Sequence, residues 1–125
     1  MLNEFKVHPT LPAVDLERAR GFYRDKLGFV VETENPAAVM FSSAGGTRFT
    51  VFATSNPNRA GHTQAGWEVK NIEAVVQDLR GKDVLFEEYD YPNLKTVNGV
   101  AETPAGKAAW FKDTEGNLLG LVQLR

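Results

Sequence analysis

A two-fold internal repeat constrains this chain more than any single motif does. Moving residues 8–29 forward by 56 positions places His8 on Gln64, Asp15 on Asn71, Leu16 on Ile72 and Glu17 on Glu73. In both copies an extended segment meets a polar helix cap, and an amphipathic helix then ends at a glycine, Gly28 or Gly81. Leu16, Ala19, Phe22, Tyr23 and Leu27 share one helical face in the first copy; Ile72, Val75, Val76 and Leu79 do so in the second. Further along, a shift of 70 superposes Ala38 on Ala108, Phe41 on Phe111, Gly46 on Gly116 and Phe49 on Leu119. The difference, 70 − 56 = 14 residues, requires a longer connection in the second copy, within about residues 85–106. Agreement of spacing, caps and helix ends marks a duplicated supersecondary unit.

Residues 4–13 alternate, with Phe5, Val7, Leu11 and Ala13 on one parity and Lys6, His8, Thr10 and Pro12 on the other. That period predicts a strand with one packed and one polar face, and Pro9 and Pro12 put it at an edge or a break. Strands are also expected over 29–34, 37–42 and 47–53, separated by turns at Asn35-Pro36 and Ala44-Gly45-Gly46. Residues 54–61 read as a linker, and 62–70 as the strand that opens the second copy. The expected fold is α+β: one domain, 1–125, of two tandem βαβββ modules at about 4–54 and about 62–125. Each module has a four-stranded sheet with a helix on one face. Side by side they form a curved sheet with a cleft, which must meet a ligand, a partner subunit or both. Residues 88–105 are expected to cover that cleft in part.

Composition removes several function classes. No cysteine is present, which excludes disulfides, thiolate metal sites and thiol nucleophiles. A net charge of −2 gives no footprint for nucleic acid or anionic lipid. No apolar run is long enough to span a membrane and the N-terminus lacks a signal layout, so a cytoplasmic protein is expected. Neither a Ser-His-Asp order nor a phosphate loop is found.

Two stretches, Val14-Asp-Leu-Glu-Arg-Ala-Arg-Gly-Phe-Tyr-Arg-Asp-Lys-Leu-Gly-Phe29 and Ala109-Trp-Phe-Lys-Asp-Thr-Glu-Gly-Asn-Leu-Leu-Gly120, resemble the vicinal oxygen chelate superfamily. This is the glyoxalase, bleomycin-resistance and extradiol-dioxygenase group, and the resemblance covers essentially the whole chain. It implies small-molecule binding, a homodimer, and either drug sequestration or lyase, isomerase or dioxygenase chemistry. In metal-dependent members the ligands occupy four quasi-symmetric strand positions, here His8, Thr50, Gln64 and Gly120. Only His8 and Gln64 offer donors of a suitable type, and a carboxylate is missing where a Glu is usual. The expectation is therefore a metal-independent binder of a small organic molecule, with no cofactor. The alternative is a glyoxalase-type isomerase or lyase with a divalent ion on His8 and Gln64 and Glu102 as a recruited carboxylate. An extradiol dioxygenase needs a second His and a carboxylate on iron, which the pattern does not supply.

The expected binding residues are His8, Thr10, Arg48, Thr50, Gln64, Trp110 and Gly120. His8 can bond a ligand, hold a metal or act as a general base. Arg48 shares strand parity with Thr50 and can pair an anionic group or sit at a solvated strand end. Glu68 shares parity with Gln64 and is a carboxylate base or a surface residue. Trp67, of opposite parity, is core. Trp110 is a stacking wall or core. Tyr89, Tyr91 and Glu102 are candidates for contacts from the long connection, and Glu87, Glu88 and Asp90 form an acidic cluster that is a solvated face or an attractor of cations.

Overall fold

The computed structural model describes all residues except Pro57 and Ala60. It divides into two compact units, Met1–Arg59 with Thr114–Gly116, and Ala60–Asp113 with Asn117–Arg125.

In the first unit β1 (Thr10–Ala13), α1 (Leu16–Gly21), β2 (Val30–Asn35), β3 (Ala38–Ser42) and β4 (Arg48–Ala53) follow in order. The sheet runs β1-β4-β3-β2, with β1 parallel to β4 and the remaining pairs antiparallel. Asp15 caps α1 by accepting from the Arg18 amide at 3.0 Å. The helix expected as one piece changes at Phe22 into a π-type turn, Phe22–Lys26. There the Leu27 amide donates to the Phe22 carbonyl at 3.2 Å, and Gly28, at φ +80°, leaves the turn. This wider turn rotates the chain less per residue, so the neighbours Phe22 and Tyr23 are both buried. Tyr23 packs against Phe41 and Phe49, with ring centroids 5.6 and 5.4 Å away. Leu11, Ala13, Val39 and Val51 complete that core.

The first strand is shorter than its alternating pattern suggests. It starts at Thr10, and Phe5 and Val7 are 66% and 94% exposed. The Thr50 amide donates to the Pro9 carbonyl, and that bond lies just ahead of the first paired residue, Thr10. Alternation alone cannot make a strand where no neighbouring chain supplies partners.

The second unit contains β5 (Ala65–Glu68), α2 (Ile72–Arg80), β6 (Asp90–Tyr91), β7 (Leu94–Val97), β8 (Val100–Thr103), β9 (Gly106–Lys112) and β10 (Leu118–Leu124). Its sheet has six strands in the order β5-β10-β9-β8-β7-β6. Ile72, Val76 and Leu79 of α2 are buried, as are Ala65, Phe111, Leu119 and Leu121 of the sheet. By position β8 corresponds to β2, so the β6–β7 hairpin is the additional segment. Residues 88–105, expected as a loop covering a cleft, instead extend the sheet edge by antiparallel pairing. The four-stranded expectation is corrected accordingly. Asn98-Gly99, at φ +53° and +81°, forms the two-residue turn that joins β7 to β8.

Candidate functional site

Strand register divides the candidates between the sheet faces. In the first unit Thr10 pairs with Thr50, Thr50 with Met40, and Arg48 with Ser42. These residues occupy the helix-free face, because Phe49 and Val51 between them enter the core. Arg48 Nε lies 2.8 Å from Glu32 Oε2, which also accepts from Ser42 Oγ at 3.3 Å. His8 precedes β1, is exposed, and lines a cavity of about 370 Å³ with Lys6, Val7, the 45–47 turn and Arg48. His8 and Arg48 are thus brought to one place. Lys6 joins them, although it was read only as part of a polar strand face.

The second unit repeats this pattern with different chemistry. Gly66 pairs with Gly120 and Gly120 with Trp110, at the positions that Thr10, Thr50 and Met40 hold in the first sheet. A Cβ at Gly120 would lie 3.2 Å from Thr63 Cγ2 and 3.6 Å from Trp110 Cδ1. The indole therefore lies across the missing side chain, and its Nε1 donates to Thr63 Oγ1 at 3.0 Å. Tyr89 meets Trp110 edge-on at 5.5 Å, and Tyr91 stacks on Tyr89 at 6.1 Å. Burial, followed by the charge of Glu87, pushes the Tyr89 phenol above its ordinary value, so it stays a neutral hydroxyl. The main chain holds this group in place: the Glu87 amide donates to the Trp110 carbonyl and the Gln64 amide to the Leu118 carbonyl. Sequence reasoning did not pick out Thr63 or Gly66, though the pairing of Gly66 with Gly120 follows from the repeat.

Glu102 lies elsewhere. Its partner Lys107 is three residues from Trp110 along β9, so Glu102 belongs to the helix-bearing face. It is exposed, with Arg125 Nη2 at 3.9 Å. Glu68 pairs with Val122 and is exposed, and Trp67 is half-buried on the opposite parity. A cavity of about 870 Å³ lies on the helix side of this unit, between α2 and residues such as Leu94, Val97 and Val100. Of the charged residues lining it, Glu73 pairs with Lys107 at 2.6 Å, and Arg80 and Glu102 lie 3.9 Å from Glu88 and Arg125.

The Asp113-Thr114-Glu115-Gly116-Asn117 turn is structural. Asp113 binds both the amide and the side chain of the fully buried Asn117, at 2.9 and 2.7 Å. Within the first unit, Glu115 accepts from the Asp15 amide at 2.9 Å and from Arg18 Nε at 2.8 Å. Burial pushes the Glu115 carboxyl up, but Arg18, the Asp15 amide and Thr114 outweigh it and hold the carboxyl below its ordinary value.

Neither unit brings a divalent-ion donor set to these strand positions: the first has the His8 imidazole and the Thr50 hydroxyl, the second the Gln64 amide and a bare Gly120. Among the described residues no three His, Asp or Glu side chains converge.

The model of the family described as "Bleomycin resistance protein-like N-terminal" matches residues 6–43. A bleomycin-binding protein from Streptomyces verticillus, solved with copper(II)-bleomycin, superposes with a TM-score of 0.72, covering 97% of each chain at 24% identity. The chain has the glyoxalase/bleomycin resistance/dioxygenase fold. TnmS3, an antibiotic binding protein from Streptomyces sp. CB03234, is similar at TM-score 0.73 and 20% identity, covering 97% of this chain and 98% of that one. A lactoylglutathione lyase from Agrobacterium tumefaciens gives 0.68 and 19%, covering 94% and 91%. No curated protein matches the chain. The α+β plan and the resemblance to the vicinal oxygen chelate superfamily both stand. No helix among the described residues is long and apolar enough to cross a membrane.

Proposed function

We propose that this protein binds a small, flat organic molecule without a metal ion, as a single domain working in a homodimer. The observation that carries the reading is the helix-free face of the second sheet. Gly66 carries no side chain on that face, the Trp110 indole lies over Gly120, and Tyr89 and Tyr91 continue the aromatic wall. Bare backbone next to fixed rings accepts a planar ligand by stacking, at little conformational cost. Gln64, on the same face of the same unit, supplies a polar contact in this reading. Relatives of the same fold that bind bleomycin or another antibiotic lend it support.

The test is titration with bleomycin and with a planar anthraquinone, read by tryptophan fluorescence and calorimetry. Saturable quenching that weakens about tenfold or more in Trp110→Ala is the expected result. Equal affinity in Trp110→Ala, or no saturation with either compound, would overturn the reading. The lyase alternative predicts hemithioacetal isomerisation dependent on nickel or zinc and lost in His8→Ala. The donor set speaks against it. Sedimentation across a concentration series tests the homodimer.

A further inference from the structure

We propose that the cavity bounded by Lys6, His8 and Arg48 is an anion subsite, taking a carboxylate or phosphoryl group. The inference rests on the small-molecule-binding reading for its biological meaning, and adds that the ligand carries a negative charge. Three basic side chains line a space of about 370 Å³, and none of the residues lining it is acidic. Lys6 extends over the Gly45-Gly46 turn, its Nζ lying 3.5 Å from where a Gly46 Cβ would stand. Both glycines have positive φ, +67° and +75°, so the turn brings bare backbone up to the ammonium group.

The charges at this place are unevenly balanced. Arg48 Nε lies 2.8 Å from Glu32 Oε2, and the Nη nitrogens of its planar fork make no hydrogen bond among the described residues. Lys6 and His8 have no hydrogen bond or ion pair among the described residues. Among the described residues Glu32 is the carboxylate paired with this group, and it meets Arg48 from the strand side. A monoanion arriving at the cavity thus finds one guanidinium paired with Glu32, one ammonium and one imidazole that can donate. This corner would select against cations.

Inorganic phosphate and benzoate are the probes, with benzamide as the neutral counterpart. NMR follows the His8 ring and Arg48 side-chain signals at low ionic strength. Saturable shifts with phosphate and benzoate, and none with benzamide, are expected. Lys6→Ala and Arg48→Gln should each weaken phosphate about fivefold, and Lys6→Glu more, while Lys82→Ala changes nothing. An unchanged phosphate affinity in both Lys6→Ala and Arg48→Gln, or no shift at His8, overturns the subsite. The stacking reading fails separately, through Trp110→Ala with uncharged aromatic probes, and phosphate binding does not depend on that result.

Discussion

Trp110 and Gly120 are directly paired across β9 and β10, and the indole covers the space that a side chain at position 120 would use. The absence of a side chain there is thus coupled to the position of the ring. In Gly120→Ala the new methyl meets Thr63 Cγ2 at 3.2 Å, closer than a comfortable contact. The expected cost is about 1 kcal/mol, or roughly 4 °C in Tm for a chain of this size. Thr63→Ser removes the obstructing methyl and keeps the hydroxyl that accepts from Trp110 Nε1, so the double variant should recover most of the loss introduced by Gly120→Ala. A double-mutant cycle by thermal unfolding decides the matter; additive costs would show that Thr63 is not the obstruction.

Much of this face was legible in the sequence, because strand side chains alternate with a period of two and the register follows from the repeat. Thr10, Arg48 and Thr50 share a face for that reason, and the same rule sets Trp67 on the opposite parity from Gly66. The start of β1 was not legible. Phe5 and Val7 alternate as a packed strand would, yet the described pairing with β4 begins at Thr10. The β6–β7 hairpin was also missed, since strands of two and four residues carry too little periodicity to register. Asn98-Gly99, the turn that follows it and joins β7 to β8, was a readable signal. The grouping of Lys6 with Arg48 depends on the 44–46 turn returning beside residues 6–8. That is a tertiary fact with no local signature.

Glu115 makes stability depend on acid. Its side chain is 1% exposed and its carboxyl is held below the ordinary value by Arg18, the Asp15 amide and Thr114 against the opposing effect of burial. A depressed folded-state value contributes stability above the unfolded value, about 4.3, and that contribution is lost as pH falls through the folded value. Glu115→Gln should cost about 2 kcal/mol at neutral pH. The variant should also lose less stability than the parent between about pH 5 and pH 3. Urea unfolding at both ends of that range measures the difference; parallel pH profiles would contradict it.

The second helix cap combines two demands in one residue. Asn71 has φ +22°, in the region that favours glycine, and its Oδ1 accepts from the Ala74 amide at 3.3 Å. Asn71→Gly gives up the cap bond but relaxes the backbone, so it should cost only a few tenths of a kcal/mol. Asn71→Ala loses the bond and keeps the strain, with an expected cost of about 1–2 kcal/mol. The order Gly before Ala in a thermal-shift series is the signature. The reverse order would mean that helix propensity, and not backbone conformation, governs the position.

Tyr23 is the side chain on which the first unit's core converges. It is fully buried, and three aromatic neighbours surround it: Phe22 edge-on at 5.5 Å, and Phe41 and Phe49 tilted at 5.6 and 5.4 Å. Phe41 and Phe49 stack at 5.2 Å across β3 and β4, forming a flat surface that the ring from the π-type turn covers. Tyr23→Ala leaves a cavity that flat, strand-fixed rings cannot close by collapsing, and should cost about 3–5 kcal/mol. Val30→Ala, at a residue 68% exposed, should cost well under 1 kcal/mol and serves as the comparison. Unfolding free energies for the pair test the assignment. A Tyr23→Ala loss below about 1.5 kcal/mol would place the weight of the core on Phe22 or Phe49 instead.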